Sequence, residues 1–375
     1  HPNSFQTPYT LRVSTQPQPT LELISLTPAA VSSTKFPSHP PPVRNLKFQA
    51  TQSFLSFPSS FKWGVATSAH QVEGDNTQND WYLFEQKNGS IFKNAKSGKG
   101  PDHWNHVEKD IALLQAMGVH QYRMSIEWSR LEPREGQWDS AATLHYQNEI
   151  LRLEAHGIEP IITLWHSTLP IWVSQKQGWN WPGIPQAFEK FALYVRQKIA
   201  PRARYWITLN EPLLYLMGAY IRGVVPPAEL GSFQNIQFPL IQMLRTHAQV
   251  YRSLHAVSLP QGPNSIAVGI AHRMDSFAPY DSNSFLDQWI SSKADEIFNW
   301  TVPQAIHSGQ LILKIPFIIN LSVALPEIKD TQDYFGLNYY TRFALQTQLF
   351  PFDIKEHPLP GTQEITQMGW EIYPE

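Results

Sequence analysis

The sequence predicts an α/β fold, a (β/α)8 TIM barrel, and three observations carry that expectation. After Phe54, short β-branched or aromatic runs alternate with segments of helical periodicity, the pattern of repeated βα units on a parallel sheet. The 375 residues accommodate one barrel of roughly 250 residues with extensions. Polar, chemistry-bearing side chains recur just past the predicted strand ends, where such barrels carry function.

Phe61 to Thr67 reads as the first strand. Val107 to Met117 reads as a helix with Ile111, Leu114 and Met117 on its apolar face, closed by Gly118 as a C-cap. Gln121 to Ile126 is the second strand, and Ala141 to His156 the next helix, ended by Gly157. Ile158 to Leu164 is a β-branched third strand, followed by a helix from Ile184 to Ile199. Tyr205 to Asn210 is a short, buried fourth strand, and Pro212 ends it because proline cannot donate to a sheet ladder. Ile266 to Ala271 and Tyr334 to Leu337 read as strands five and six. Between them, Phe285 to Trp300 reads as a helix with Phe285, Trp289 and Phe298 on one apolar face. Six strands are legible where a closed barrel needs eight, so strands seven and eight are expected to be missing from a chain cut short at Glu375.

Residues 1–53 are rich in Pro, Ser, Thr and Gln and lack hydrophobic periodicity. Such a segment buries too little apolar area to offset its ordering entropy, so a disordered leader is expected before a barrel domain at 54–375. The net charge of −2 gives no reason to propose nucleic acid or an anionic membrane as partner. No apolar run reaches membrane-spanning length, Ile315 to Leu325 being the most apolar stretch. With no cysteine there is no disulfide framework and no thiolate nucleophile, which suits a cytoplasmic location. His103 and His106 have no convergent carboxylate, so no metal is expected. Gly89, Gly98 and Gly100 lack phosphate-loop spacing, and no cofactor is expected.

The strand ends supply a consistent set. Ser68 to Gly74, with Gln71 among them, follows strand one, and Arg123 with Glu127 and Arg130 belongs to strand two. Trp165 and His166 follow strand three, Asn210-Glu211 ends strand four, and Asn338-Tyr339-Tyr340 ends strand six. Amide, imidazole, guanidinium, carboxyl and phenol groups at one barrel mouth form a polyol-binding set with one proton donor, Glu211. Glu73 reads as a structural partner in the first loop, and Asp110, Glu127 and Glu132 as ion-pair or surface acids.

These residues resemble glycoside hydrolase family 1, the retaining β-glucosidases and β-galactosidases, from about Phe57 to Glu375. The resemblance implies that Glu211 is the general acid/base. It implies further that Gln71, His166 and Asn210 bind the sugar, and that Arg123 and Tyr340 support the nucleophile. Asp102-His103-Trp104-Asn105 also follows the family pattern. Two departures stand out: Ser167 follows His166 where the family commonly has tryptophan, and the Thr-Glu-Asn-Gly motif that carries the family's nucleophile is absent. Met368 to Glu375 resembles the stretch before that motif. The expected function is therefore a retaining β-glycosidase acting on terminal β-linked sugars of a small-molecule β-glycoside, in a chain lacking its nucleophile. The alternative is a catalytically inactive sugar-binding or interaction protein. An aldolase-like barrel is disfavoured because no lysine lies at a strand end.

Overall fold

The computed structural model describes residues 57–375 apart from 232, 260, 261, 263, 264, 316, 317, 350, 351, 363 and 375. The expected leader at 1–53 lies outside the described residues. Six strands form one parallel sheet: β1 (Gly64–Ala66), β2 (Gln121–Ser125), β3 (Glu159–Trp165), β4 (Tyr205–Asn210), β5 (Ala267–Arg273) and, later in the chain, β9 (Tyr334–Asn338). Their spatial order is β1-β2-β3-β4-β5-β9, every neighbour parallel. This is the wall of the expected barrel, built from the six strands read in the sequence.

β1 is shorter than the expected Phe61–Thr67, and Phe61 and Trp63 lie exposed outside it. Gly64 is required there: a Cβ would meet the Gln121 carbonyl oxygen at 2.8 Å. Five more strands lie outside the wall. β6 (Ser276–Pro279), β10 (Arg342–Leu349) and β11 (Phe352–His357) form a second sheet in the order β11-β10-β6. β7 (Gln310–Ile315) and β8 (Ile319–Ala324) pair antiparallel, and β8 lies within the Ile315–Leu325 stretch read only as apolar. The strand signal of β7 is period-2 burial, with Leu311, Leu313 and Ile315 inward and Gln310, Ile312 and Lys314 outward.

Short helices α1 (Ala69–Val72) and α2 (Asp80–Glu85) follow β1, and α3 (His103–Ala116) leads to β2. Val107, Ile111 and Leu114 bury one face of α3, but Met117 is 64% exposed, because the helix has already turned towards Gly118. After β2 come α4 (Trp128–Leu131) and α5 (Ser140–Ala155), the latter capped by Asp139, whose carboxylate accepts from Ala141 and Ala142 at 2.8 and 2.9 Å. α6 (Ile171–Gln175) and α7 (Ile184–Tyr194) follow β3, and α8 (Pro212–Met217) and α9 (Gln237–Ala256) follow β4. α9 went unread in the sequence, although Leu240, Met243, Leu244, Ala248 and Leu254 bury one stripe of it.

α10 (Phe285–Ala294) and α11 (Thr301–Ser308) precede the hairpin. The face expected for α10 is corrected: Phe285 is 75% exposed, and Asp287, Ser291 and Ala294 are the buried positions. Asp287 is inward because its carboxylate accepts from the Thr347 and Asp281 amides, which outweighs the pull of the aromatic spacing. The tryptophans mostly pack. Trp128 stacks on Phe191 at 5.1 Å, and Trp165, Trp179 and Trp206 are fully buried.

Candidate active site

β4 is covered on both faces, so Trp206 through Asn210 are all buried. Its middle is pinned by a polar chain. His247 Nε2 donates to the Thr331 carbonyl at 2.7 Å, leaving Nδ1 to accept from the Thr208 hydroxyl at 2.6 Å. Burial holds that imidazole neutral, with its pKa down to about 4. The strand then breaks register between Ile207 and Asn210, and the Glu211 amide donates to the Ala271 carbonyl at 2.7 Å. Glu211 takes a left-handed backbone (φ 50°, ψ 54°), a conformation a non-glycine residue holds only under constraint. Pro212 occupies the first position of α8, where its ring presets the helical φ and its missing N–H leaves no bond unmade.

Asn210 is the hub. Its Oδ1 accepts from Arg123 NH2 at 2.5 Å and from Asn338 Nδ2 at 3.1 Å, and its Nδ2 stands 3.5 Å from His166 Nε2. Arg123 is forked across three groups: Nε donates to Thr163 Oγ1 at 3.0 Å, NH1 to Asn338 Oδ1 at 3.1 Å, and NH2 to Asn210. Asn338 Nδ2 also donates to Glu211 Oε1 at 2.6 Å. The structure thus joins Arg123, His166, Asn210 and Glu211 through strands β2, β3, β4 and β9. His166 is neutral: burial, then the Arg123 charge, drives its pKa down to about 3. With Nε2 facing the Asn210 amide, the unpartnered buried Nδ1 carries the proton.

Burial pushes the Glu211 carboxyl up from its ordinary value, against the Asn338 hydrogen bond and the charges of Arg273 and Arg123. Two expected residues stand apart from this network. Gln71 is exposed on α1, and its Oε1 accepts from Ser68 Oγ at 2.7 Å. Tyr340 is half exposed beyond β9, its ring 5.5 Å from Trp370 and its phenol raised by burial and by the Glu211 charge.

Three residues of the site went unread. β5 runs two residues past Ala271, so His272, Arg273 and then Asp275 border a cavity of about 20 Å3 beside Glu211. Arg273 Nε donates to Asp275 Oδ2 at 2.7 Å, and its guanidinium lies 5.2 Å from the Tyr340 ring and 5.4 Å from that of Trp370. The signal was a His-Arg-x-Asp run at the end of a buried strand. Asn338 was seen at a strand end, but its bridging position depends on a partner 127 residues away.

The neighbouring acids sort by their partners. Glu73 is the structural acid expected, held by Arg130 Nε at 2.7 Å, Tyr146 OH at 2.5 Å and Asn76 Nδ2 at 3.1 Å, and raised by burial to about 7. Glu127 and Glu132 are not at the surface and have no ion pair among the described residues. Both are buried, Glu127 accepting from Ser129 Oγ at 2.6 Å and Thr168 Oγ1 at 3.0 Å, Glu132 from Trp128 Nε1 at 2.8 Å. His103 sits between Asp110 at 2.6 Å and Glu149 at 2.9 Å. Among the described residues no group of three His, Cys, Asp or Glu could hold a metal, and no helix is long and apolar enough to cross a membrane.

Against known proteins, the family model "Glycosyl hydrolase family 1" matches residues 54–375. The chain is 28% identical over 347 residues to Beta-glucosidase A of Thermotoga maritima, covering 85% of this chain and 73% of that protein. The beta-glycosidase structure from Pyrococcus horikoshii superposes with a TM-score of 0.73 at 32% identity, over 85% of this chain and 71% of that one. A beta-glucosidase structure from Exiguobacterium marinum gives a TM-score of 0.75 at 25% identity, over 85% and 74%.

Proposed function

This chain belongs to glycosyl hydrolase family 1, and we propose that Glu211 is the proton-transfer residue of its reaction on a small-molecule β-glycoside. One observation carries the reading: Glu211, partly buried just past the end of β4, is fixed at 2.6 Å by Asn338, which Arg123 in turn holds. A glycosidase acid must stay protonated near neutral pH until the leaving oxygen needs its proton, and burial of Glu211 favours that form. After the leaving group departs, the same carboxylate accepts a proton from the incoming hydroxyl. In this reading His166 and Asn210 contact the sugar, and Arg123 keeps both asparagines in register.

Retaining glycosidases pair the acid with a second carboxylate about 5–5.5 Å away. We assign no such nucleophile among the described residues. Asp275, beside Glu211, has one oxygen on Arg273, and Glu371 is buried in a two-point pair with Arg342. Gln71 and Tyr340 are proposed to meet the sugar and a nucleophilic carboxylate directly, which is consistent with their standing outside the Arg123 network.

An α-glucosyl fluoride tests Glu211 without a nucleophile. It presents the anomeric carbon in the configuration of the covalent intermediate, and fluoride leaves without protonation. An acceptor hydroxyl attacks that carbon, its proton passes to Glu211, and fluoride departs. The chain should form the β-linked product from this donor and an aryl glucoside. Equal product from Glu211→Gln would overturn the assignment.

A further inference from the structure

A cavity of about 640 Å3 lies between the segment after β3 and the segment after β4, within the roughly 300–1,000 Å3 of small-molecule sites. Asp80, Asn180, Tyr215, Tyr220 and Glu229 supply its polar wall and Phe238 an apolar one, half exposed. None of its lining residues borders the small cavity at Glu211.

Two groups of this wall are built to meet something. Asp80 is 5% exposed, and its Oδ1 takes the amides of Trp81 and Leu169, both at 2.9 Å. Those two bonds fix the carboxyl plane, and Oδ2 takes no hydrogen bond from a described residue. Tyr215, also 5% exposed, is clamped edge-on against Trp165 at 4.9 Å, and its hydroxyl likewise has no partner among the described residues. Tyr220 is 2% exposed, with its hydroxyl turned to Asn180. No lysine or arginine lines the cavity among the described residues.

We propose that this cavity is a second carbohydrate site, taking a neutral pyranose ring, separate from the site at Glu211. A carboxyl oxygen, phenolic hydroxyls and an amide accept and donate to successive sugar hydroxyls, while the Phe238 ring offers a face to the sugar's C–H side. Several directional groups at different heights suit a polyol better than a compact cation, which would need one concentrated charge. Burial raises the Asp80 carboxyl to about 7, so near neutral pH it both donates and accepts.

The cavity is also tied to the catalytic segments. The Tyr215 amide donates to the Glu211 carbonyl at 3.0 Å, so both residues share one helical turn. Three residues after His166, Leu169 accepts from the Asp80 amide and donates to the Asp80 carboxylate, and Asn79, next to Asp80, bonds His70 Nδ1 at 3.0 Å, adjacent to Gln71. An occupant therefore braces the turns that carry Gln71, His166 and Glu211.

The test titrates methyl β-D-glucopyranoside into the 375-residue chain carrying Asn210→Ala, which removes the hub of the other site, and follows tryptophan indole N–H signals by NMR. Saturable binding in the millimolar range is expected, weakened at least tenfold by Tyr215→Phe and by Asp80→Ala. Tyr215→Phe keeps the ring against Trp165, so it carries the test if Asp80→Ala does not fold. Absence of saturable binding, unchanged affinity in Tyr215→Phe, or tighter binding of tetramethylammonium than of the glucoside would each overturn the proposal. Because turnover is not read, the result is independent of the role assigned to Glu211.

Discussion

Asn338 Nδ2 stands 2.6 Å from Glu211 Oε1, joining the ends of two strands that are neighbours of β5 on either side. The same amide oxygen that Arg123 holds at 3.1 Å orients this donor, so the acid is set by a guanidinium it does not touch.

Replacing Glu211 with glutamine should lower product formation from α-glucosyl fluoride by about 10²–10⁴-fold, the usual contribution of a positioned acid or base. The far-ultraviolet circular dichroism should be unchanged, since glutamine can still accept from Asn338. The 375-residue chain should hydrolyse aryl β-glucosides no faster than its Glu211→Ala variant, because no described carboxylate stands ready to attack. Efficient hydrolysis by the unaltered chain, measured as aryl alcohol release, would show an overlooked nucleophile.

Arg123→Lys should weaken glucoside binding at the Glu211 site by one to two orders of magnitude. Lysine cannot fork to Thr163, Asn338 and Asn210 together, and each charge-assisted bond is worth about 1.5–3 kcal/mol. Calorimetric titration in a Tyr215→Phe background isolates this site, and an affinity within twofold of the parent would refute the clamp.

Glu371→Gln should lower stability by about 1–3 kcal/mol and leave transfer from the fluoride unaffected. Its carboxylate pairs with Arg342 and accepts from Thr362 Oγ1 at 2.9 Å. Urea denaturation alongside the transfer assay separates these effects; loss of transfer without loss of stability would reassign Glu371 to the chemistry.

The melting temperature should fall as pH rises through about 9. Burial by itself pulls the His103 imidazole down, but Glu149 and Asp110 together raise it from 6.5 to about 9. A folded value above the unfolded one means the stabilisation is complete below about 6.5 and lost as pH climbs through about 9. The buried acids Glu73 and Asp80, raised to about 7, act with the same sign at lower pH, between their ordinary values and about 7. His103→Gln should flatten the upper part of the profile; a slope equal to that of the parent above pH 7 would exclude His103 as its source.

Phe191→Ala should cost about 3–5 kcal/mol, since the ring is fully buried and stacked on Trp128. Met117→Gln should stay within about 0.5 kcal/mol, because that side chain faces solvent despite its helical spacing. Urea midpoints of the two variants check both.

Local patterns determined the barrel wall. The apolar, partly β-branched runs at Glu159–Trp165 and Tyr205–Asn210 are buried along most of their length, which marks interior parallel strands, while Gln121–Ser125 alternates in burial and has no β-branched residue. The same runs carry Arg123 within β2 and His166, Asn210 and Glu211 at or just past strand ends, and the structure brings those four together. Other features depended on contacts distant in sequence. Asp287 turns inward on α10 because the Thr347 amide of β10 and the Asp281 amide bond its carboxylate, and Ile319–Ala324 becomes a strand by pairing with Gln310–Ile315. Asn338 becomes a support for Glu211 only when β9 docks against β5, and Glu127 is buried only because Thr168 and Ser129 satisfy it. Periodicity records which side of its own element a residue takes. Tertiary structure decides which polar group finds a partner there, because a buried donor or acceptor without one costs about as much as the burial of a side chain contributes.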